Sequence, residues 1–213
     1  MPYQKSARLT LVLCVLAAIL YNSWPLGYVL SSQTTRYGFA SDLEKVGHPY
    51  YWLFILGDIL TGACLVTASA LMRFKVRAAL PSKTWAARSI GLFLFGLFTA
   101  AAAFVPVGCS QSCGVGFGRG IGLDGLFSAI AAGGLLTSLI SSMILGLRDK
   151  LGALLVLTTG AVSVGWSASG VLFVIFALTN RDVHLLQQVF LVLTGADFIM
   201  IGLNSDARHN KTI

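Results

Sequence analysis

Two aspartates, Asp58 and Asp197, lie inside long apolar stretches of the sequence, at about 50–72 and about 184–203. An ionised carboxylate inside a bilayer costs a few kcal/mol even on permissive insertion scales, so each group needs a proton, water or a polar partner. For Asp58 this leaves two interpretations. It is a proton relay or a site for an ion or a lipid headgroup, or it is a structural group that accepts hydrogen bonds from Asn22, Ser23 or another helix.

The two carboxylates are not expected to form a direct acid pair. Asp58 lies about 12 Å below the outer end of its predicted helix, at 1.5 Å per residue, whereas Asp197 lies nearer the cytoplasmic side. Their helices run in opposite directions, which places the two groups roughly 8–10 Å apart along the membrane normal. A relay between them needs intervening hydroxyl groups or water, and such hydroxyls more often bond to their own helix.

An aromatic segment at 47–52, Gly-His-Pro-Tyr-Tyr-Trp, leads into the Asp58 stretch. A proline before a helix start and adjacent aromatic residues are typical of a chain that enters the lipid headgroup layer. An aromatic belt at the membrane surface explains this segment, and a binding site near Asp58 would use the same residues. The candidate residues for binding or proton relay are therefore Asn22, His48, Trp52, Asp58 and Asp197.

Cys109 and Cys113 lie in a glycine-rich loop that is predicted on the outer side of the membrane. Outside the cytoplasm a disulfide is chemically permitted, and such a loop reaches the required Cα separation. A catalytic redox pair is more typically CxxC, and the loop lacks a histidine that could join two sulfurs in a zinc site. We therefore predict a structural disulfide, with no metal and no cofactor. Cys14 and Cys64 are predicted to be buried apolar residues.

The composition indicates the class of protein that holds these residues. Of 213 residues, 56% are hydrophobic and 11% charged, against about 25% charged in a soluble domain, and the mean hydropathy is +0.80. A membrane helix needs about 20 apolar residues, and the candidate stretches are about 9–30, 50–72, 89–107, 125–147, 151–178 and 184–203. They are apolar on consecutive residues, unlike the alternating strands of a barrel. The sequence predicts an all-α bundle of six transmembrane helices in a single membrane domain, 1–213.

Basic residues indicate the orientation, because cytoplasmic loops of membrane proteins carry an excess of lysine and arginine. With six spans both termini share a side, and that side contains Lys5, Arg8, Arg73, Lys75, Arg77, Lys83, Arg88, Arg148, Lys150, Arg208 and Lys211. The opposite loops contain Arg36, Lys45, Arg119 and Arg181. Both termini are therefore predicted in the cytoplasm. The net charge of +7 indicates contact with anionic membrane lipids and not with nucleic acid.

Small residues recur every four positions on the predicted 125–147 helix. One series contains Gly133, Thr137 and Ser141, and the next contains Gly134, Ser138 and Ser142. Small faces let helix backbones approach closely in a membrane. Both series are predicted to lie in the core of the bundle.

The stretch 41–58, SDLEKVGHPYYWLFILGD, resembles a bacterial multi-span family called domain of unknown function 998. The family pattern is a Ser-x-Leu start, a Gly-x-Pro turn, Trp-Leu-Phe and an intramembrane aspartate, matched here by Ser41, Leu43, Gly47, Pro49, Trp52, Leu53, Phe54 and Asp58. Six spans and a cysteine pair after the third are also similar. Relatives often have an acidic residue before the first cysteine and a histidine after the second, and this chain has neither. The resemblance implies a six-span protein of the bacterial cytoplasmic (inner) membrane and no particular activity.

No complete catalytic set occurs in the sequence, and neither GxSxG nor HExxH is present. We therefore predict a non-enzymatic integral membrane protein that binds membrane lipid, a membrane protein partner or a second copy of itself. The alternative is a small proton-coupled transporter that uses Asp58 and Asp197. A third interpretation is an outward-facing thiol–disulfide enzyme that uses Cys109 and Cys113.

Overall fold

The computed structural model describes residues 2–30, 43–44, 50–76, 82–105, 123–150, 152–178 and 184–210. All regular structure within these ranges is helical, which confirms the all-α prediction. The helices are α1 (Pro2–Tyr21), α2 (Pro25–Leu30), α3 (Tyr51–Leu71), α4 (Lys83–Ala102), α5 (Leu123–Arg148), α6 (Ala153–Leu178) and α7 (His184–Asn210), and a π-helical turn (Met72–Val76) follows α3.

Six candidate spans in this part of the chain confirm the predicted architecture. Their bounds are Lys5–Gly27, Tyr51–Phe74, Lys83–Ala102, Gly125–Arg148, Ala153–Phe176 and Leu185–Ala207. Consecutive spans run in alternating directions, so α1 begins and α7 ends at the same end of the bundle. We call this end the terminal end and the opposite end the distal end. The cytoplasmic position of the terminal end stays a prediction.

The first span is broken. The sequence predicts one helix over 9–30 with a kink at Pro25 near its outer end, whereas α1 ends at Tyr21 and α2 begins at Pro25. Proline has no N–H to donate, and its ring clashes with the carbonyl four residues earlier, so the helix does not continue through it. The chain turns instead, and Ser23 N donates to Leu20 O at 3.1 Å.

The third span begins earlier than the sequence predicts, at Lys83 and not at residue 89. Ser82 caps the first turn of α4, because its hydroxyl accepts a hydrogen bond from Trp85 N at 3.1 Å. The earlier start places Arg88 within the candidate span, where it is 1% exposed. The assignment of Arg88 to a cytoplasmic loop is therefore wrong, because α4 begins directly after its N-cap, Ser82, and not after the last charged residue of the loop.

The helices form a ring in the order α1, α3, α4, α5, α6 and α7. The contact between α4 and α5 is the most extensive, and the contact between α1 and α7 closes the ring. A short turn makes α5 and α6 neighbours, yet they touch less than the other neighbouring pairs. At the centre, the rings of Tyr21, Phe95 and Phe198 pack together with centroids 5.1–5.8 Å apart.

Glycines let the backbones of α3, α4 and α5 approach one another. A Cβ on Gly134 of α5 would lie 2.7 Å from Gly91 O and 3.0 Å from Phe95 N of α4. A Cβ on Gly62 of α3 would clash with Gly96 O of α4. Since the atoms in the way belong to the backbone, larger side chains at these positions require the helices to separate.

One of the two small-residue series lies in the core. The series that starts at Gly134 is buried throughout. Gly133 and Thr137 are exposed, although Ser141 of their series is buried. The prediction is therefore wrong for Gly133 and Thr137, because α5 directs only one of its two small faces toward α4.

Gly134→Ala is expected to lower the free energy of unfolding by about 1–3 kcal/mol, since the added methyl group overpacks the contact with α4. Gly133→Ala is the matched control on the same helix turn. A Cβ there meets nothing within 4 Å, so the better helix propensity of alanine is expected to raise stability by up to about 1 kcal/mol. Equilibrium unfolding in mixed micelles measures both, and equal effects of the two variants would contradict the packing described.

Candidate functional site

Asp197 is a buried carboxyl group at the middle of the last span. Its side chain is 0% exposed, and residue 196 is the midpoint of the span Leu185–Ala207. The sequence predicts a position nearer the cytoplasmic side. Asp197 lies closer to the middle because α7 continues to Asn210 and does not end at residue 203. In a bilayer, the middle of a span is the part farthest from either membrane surface.

Two hydrogen bonds between α6 and α7 set the register around Asp197. Trp166 Nε1 donates to Thr194 Oγ1 at 2.9 Å, and Asn204 Nδ2 donates to Thr159 Oγ1 at 3.2 Å. Thr194, Asp197 and Asn204 are spaced by three and seven residues, so they lie on one side of α7. Asp197 therefore faces α6 between the two hydrogen bonds, and the same register places Ser163 opposite it. We call this surface the α6–α7 seam, and it comprises Thr159, Ser163, Trp166, Thr194, Asp197 and Asn204.

Neither carboxylate oxygen of Asp197 has a hydrogen-bond partner within the described ranges. Ser163 donates its hydroxyl proton to Thr159 O of its own helix, at 2.8 Å. The amide oxygen of Asn204 also lacks a partner in this part of the chain. A negative charge on Asp197 thus receives no hydrogen bond from its neighbours, and a buried charge of this kind is tolerated only with a bound proton or a counter-ion.

A second buried polar cluster lies nearer the terminal end. Arg88 of α4 donates from Nη2 to Ile201 O of α7 and, at 2.9 Å, to Ser205 Oγ. Its Cζ atom lies 5.0 Å from the ring centroid of Trp85, within the range of a cation–π contact. Trp85 in turn donates from Nε1 to Met72 O at 3.0 Å, where α3 passes into the π-helical turn. Arg88 and Trp85 together therefore link α4 to α7 and to the turn that follows α3.

Sequence reasoning missed this cluster because it counted Arg88 among the loop cations. A usable signal was present. Ser82 stands three residues before Trp85, which is the spacing of an N-cap, and Trp85 and Arg88 are three residues apart on the helix that follows, close enough for their side chains to meet.

Asp58 lies half-buried on α3, and the glycine before it packs against the break in the first span. Tyr21, the last residue of α1, interacts electrostatically with Asp58 and Glu44. Asn22 donates from Nδ2 to Ala18 O at 3.0 Å.

The structure separates the two carboxylates. Asp197 faces α6, whereas α3, which carries Asp58, packs against α1 and α4. Tyr21, which interacts electrostatically with Asp58, packs its ring against Phe198, the residue after Asp197.

The structure does not place the remaining predicted site residues beside Asp58 or Asp197. Trp52 is 57% exposed and lies about 120° around α3 from Asp58, at 100° per residue. His48 lies outside the described residues, and so do Cys109 and Cys113 with their predicted disulfide. Cys14 and Cys64 are free thiols, the first buried and the second half-buried.

No family model matches the chain, and neither does any curated protein or solved structure. The resemblance to the domain of unknown function 998 family stays a prediction.

Trp166→Phe is expected to lower the free energy of unfolding by about 0.5–1.5 kcal/mol, because it removes the indole N–H that bonds to Thr194 while keeping an aromatic ring. Trp52→Phe is the matched control on the lipid-facing side of α3 and is expected to change stability by less than about 0.5 kcal/mol. Thermal unfolding of both variants in the same detergent measures the difference. Equal changes in stability for the two variants would contradict a stabilising hydrogen bond between Trp166 and Thr194.

Proposed function

We propose that this chain is a small proton-coupled transporter in which Asp197 takes up and releases the coupling proton. The observation that supports the proposal is the complete burial of Asp197 at mid-span with neither carboxylate oxygen hydrogen-bonded within the described ranges. A structural carboxylate is normally satisfied by its surroundings. Ionisable residues inside membrane spans mark ion and proton pathways when they line the interior of a bundle.

In the proposed mechanism, α6 and α7 move relative to each other at the α6–α7 seam. With a proton bound, Asp197 is neutral, and the seam closes around it with the Trp166–Thr194 and Asn204–Thr159 hydrogen bonds in place. Loss of the proton leaves a charge in an apolar surrounding, which favours separation of α6 from α7 and entry of water. Since α6 contacts α5 only lightly, it can move with less loss of packing than any helix held by the α4–α5 contact.

Asp58 has a different place in the proposal. It is half-buried in the distal half of α3, which packs against α1 and α4. We assign the coupling proton to Asp197 alone. The distribution of basic residues supports a bacterial cytoplasmic membrane orientation with the terminal end inside the cell.

Asp197→Asn is the central test, and Asp206→Asn is its matched control. Asp206 lies on the same helix, half-buried, and nine residues further on, which is about 180° around α7. In reconstituted wild-type protein, infrared spectroscopy is expected to show the C=O band of a protonated carboxylic acid. This band should disappear in D197N and persist in D206N.

Amide hydrogen exchange tests the coupled movement. After correction for the intrinsic effect of pH on exchange, protection of α6 and α7 is expected to fall as pH rises in wild type and in D206N. The amide that replaces the carboxyl group in D197N is neutral at every pH, so the protection of α6 and α7 in this variant should not depend on pH. An identical pH response in D197N and wild type would contradict the proposed role of Asp197.

A second function, binding of membrane lipid or a membrane protein partner, is supported by the outer side of α6. This side presents a broad apolar surface that includes Leu154, Leu157, Val164, Val171 and Ile175, all exposed. Native mass spectrometry of protein extracted in mild detergent tests it. Retained lipid, a copurified protein or a dimer is expected, and a bare monomer of undiminished stability would contradict it.

A further inference from the structure

Hydrogen-bond donors and acceptors are unevenly satisfied along the α6–α7 seam. Its hydroxyl and indole donors all have acceptors at 2.7–2.9 Å, and these bonds run from Thr159 to Leu155 O, from Ser163 to Thr159 O, from Trp166 to Thr194 Oγ1 and from Thr194 to Phe190 O. Three acceptors, by contrast, lack a partner within the described ranges: both carboxylate oxygens of Asp197 and the amide oxygen of Asn204. The seam is short of donors, so a ligand that fits it must donate hydrogen bonds.

The carboxyl group of Asp197 restricts this donor to a cation. Once Asp197 has released its proton, a negative charge stands in a fully buried position, and such a charge is tolerated only with a counter-ion. A water molecule donates hydrogen bonds but leaves the charge of the carboxylate unchanged. A cation that carries N–H groups meets both needs, because it neutralises the carboxylate and donates to its oxygens.

The helices around α7 do not supply this cation to Asp197. No ionisable residue occurs on α6, and those of α5 lie only at its two ends. The ionisable groups that α1 and α4 bring to α7 include Cys14 beside Gly202, Tyr21 beside Phe198, and Arg88 beside Ile201 and Ser205. None of the described residues donates a hydrogen bond to the carboxylate oxygens of Asp197. The donor cation is therefore sought outside these helices.

An aromatic pair follows Asp197 along the seam toward the distal end. Trp166 of α6 and Phe190 of α7 pack with ring centroids 5.1 Å apart. Phe190 precedes Asp197 by seven residues, or two helical turns, so both lie on the same side of α7, about 10 Å apart along its axis. Aromatic faces attract ammonium groups and cover alkyl chains. A hard metal ion instead needs about six oxygen ligands, twice the three unpaired acceptors of the seam, so the surroundings favour an organic cation.

We propose that Asp197 binds a protonated primary amine in exchange for its proton, with the alkyl chain of the amine against Trp166 and Phe190. The inference rests on the proposed function and names its substrate class. In the exchange the carboxyl O–H gives its proton to water, and the ammonium group donates N–H bonds to the carboxylate. The site is neutral before and after, and one proton leaves for each amine that binds. Because one carboxylate does not hold both cations, the chain is a proton–amine antiporter.

The test is the infrared spectrum of wild-type protein in phosphatidylcholine nanodiscs, at a pH where the carboxylic acid band of Asp197 is present. Butylamine, which like the lysine side chain is an ammonium ion at neutral pH, is expected to remove this band. It should also release one proton per bound amine into a weakly buffered solution that contains a pH-sensitive dye. The apparent Kd for butylamine should fall about tenfold for each unit rise in pH, because each binding event displaces one proton.

Matched probes and variants isolate the two parts of the recognition. Butyltrimethylammonium keeps the charge and the chain but has no N–H group, and butanol keeps the chain without the charge. Both are expected to bind at least about tenfold more weakly than butylamine, since each lacks a charged hydrogen bond to the carboxylate. Asp197→Asn should weaken butylamine binding by at least about tenfold and abolish the proton release, whereas Asp206→Asn should behave as wild type.

Three outcomes separate this inference from the proposed function, and the wild-type spectra decide them without any variant. Loss of the Asp197 band on addition of butylamine, with one proton released, supports both. A band that persists at saturating butylamine, or that sodium or butyltrimethylammonium removes equally well, overturns the amine as substrate and leaves the proton on Asp197 in place. Absence of the band from wild-type protein at every pH overturns both the amine and the proton.

Discussion

The interior of a bilayer offers no water, so every polar group in this bundle must be satisfied by the chain itself. Most hydroxyl groups meet this constraint within their own helix. Thr10 donates to Ser6 O at 2.9 Å, Thr67 to Ala63 O at 2.8 Å, and Ser142 to Ser138 O at 2.8 Å. These local bonds leave much of the helix surface apolar, and α3, α4 and α5 approach most closely at their glycines.

Hydrogen bonds between helices are concentrated on α7. Arg88 of α4 reaches its backbone and Ser205, while Trp166 and Thr159 of α6 meet Thr194 and Asn204. Asp197 stands in the middle of this helix, and neither of its carboxylate oxygens has a hydrogen-bond partner among the described residues. Its significance is that both oxygens of an ionisable group are buried without a bond.

Asp197 and Arg88 differ in what the membrane permits them to do. A carboxyl group can become neutral by binding a proton, and its burial therefore follows its protonation state. A guanidinium cannot become neutral, so its burial depends on permanent partners, and those of Arg88 include a carbonyl, a hydroxyl and an aromatic face. One group is suited to a change of state and the other to a fixed contact between α4 and α7.

The sequence by itself determined the six crossings, a distortion of the first one near Pro25 and the identity of Asp197 as an unusual residue, because hydropathy, proline geometry and an isolated charge are local properties. It left open which face of each helix points inward, since helices that are apolar on all sides carry little information about their neighbours. Only the tertiary structure decided that Gly134 is buried while Gly133 is exposed, and that Arg88 belongs to the interior. The physical reason is that the register and rotation of a helix depend on the fit between its surface and that of a neighbouring helix, and the sequence of one helix does not specify that fit.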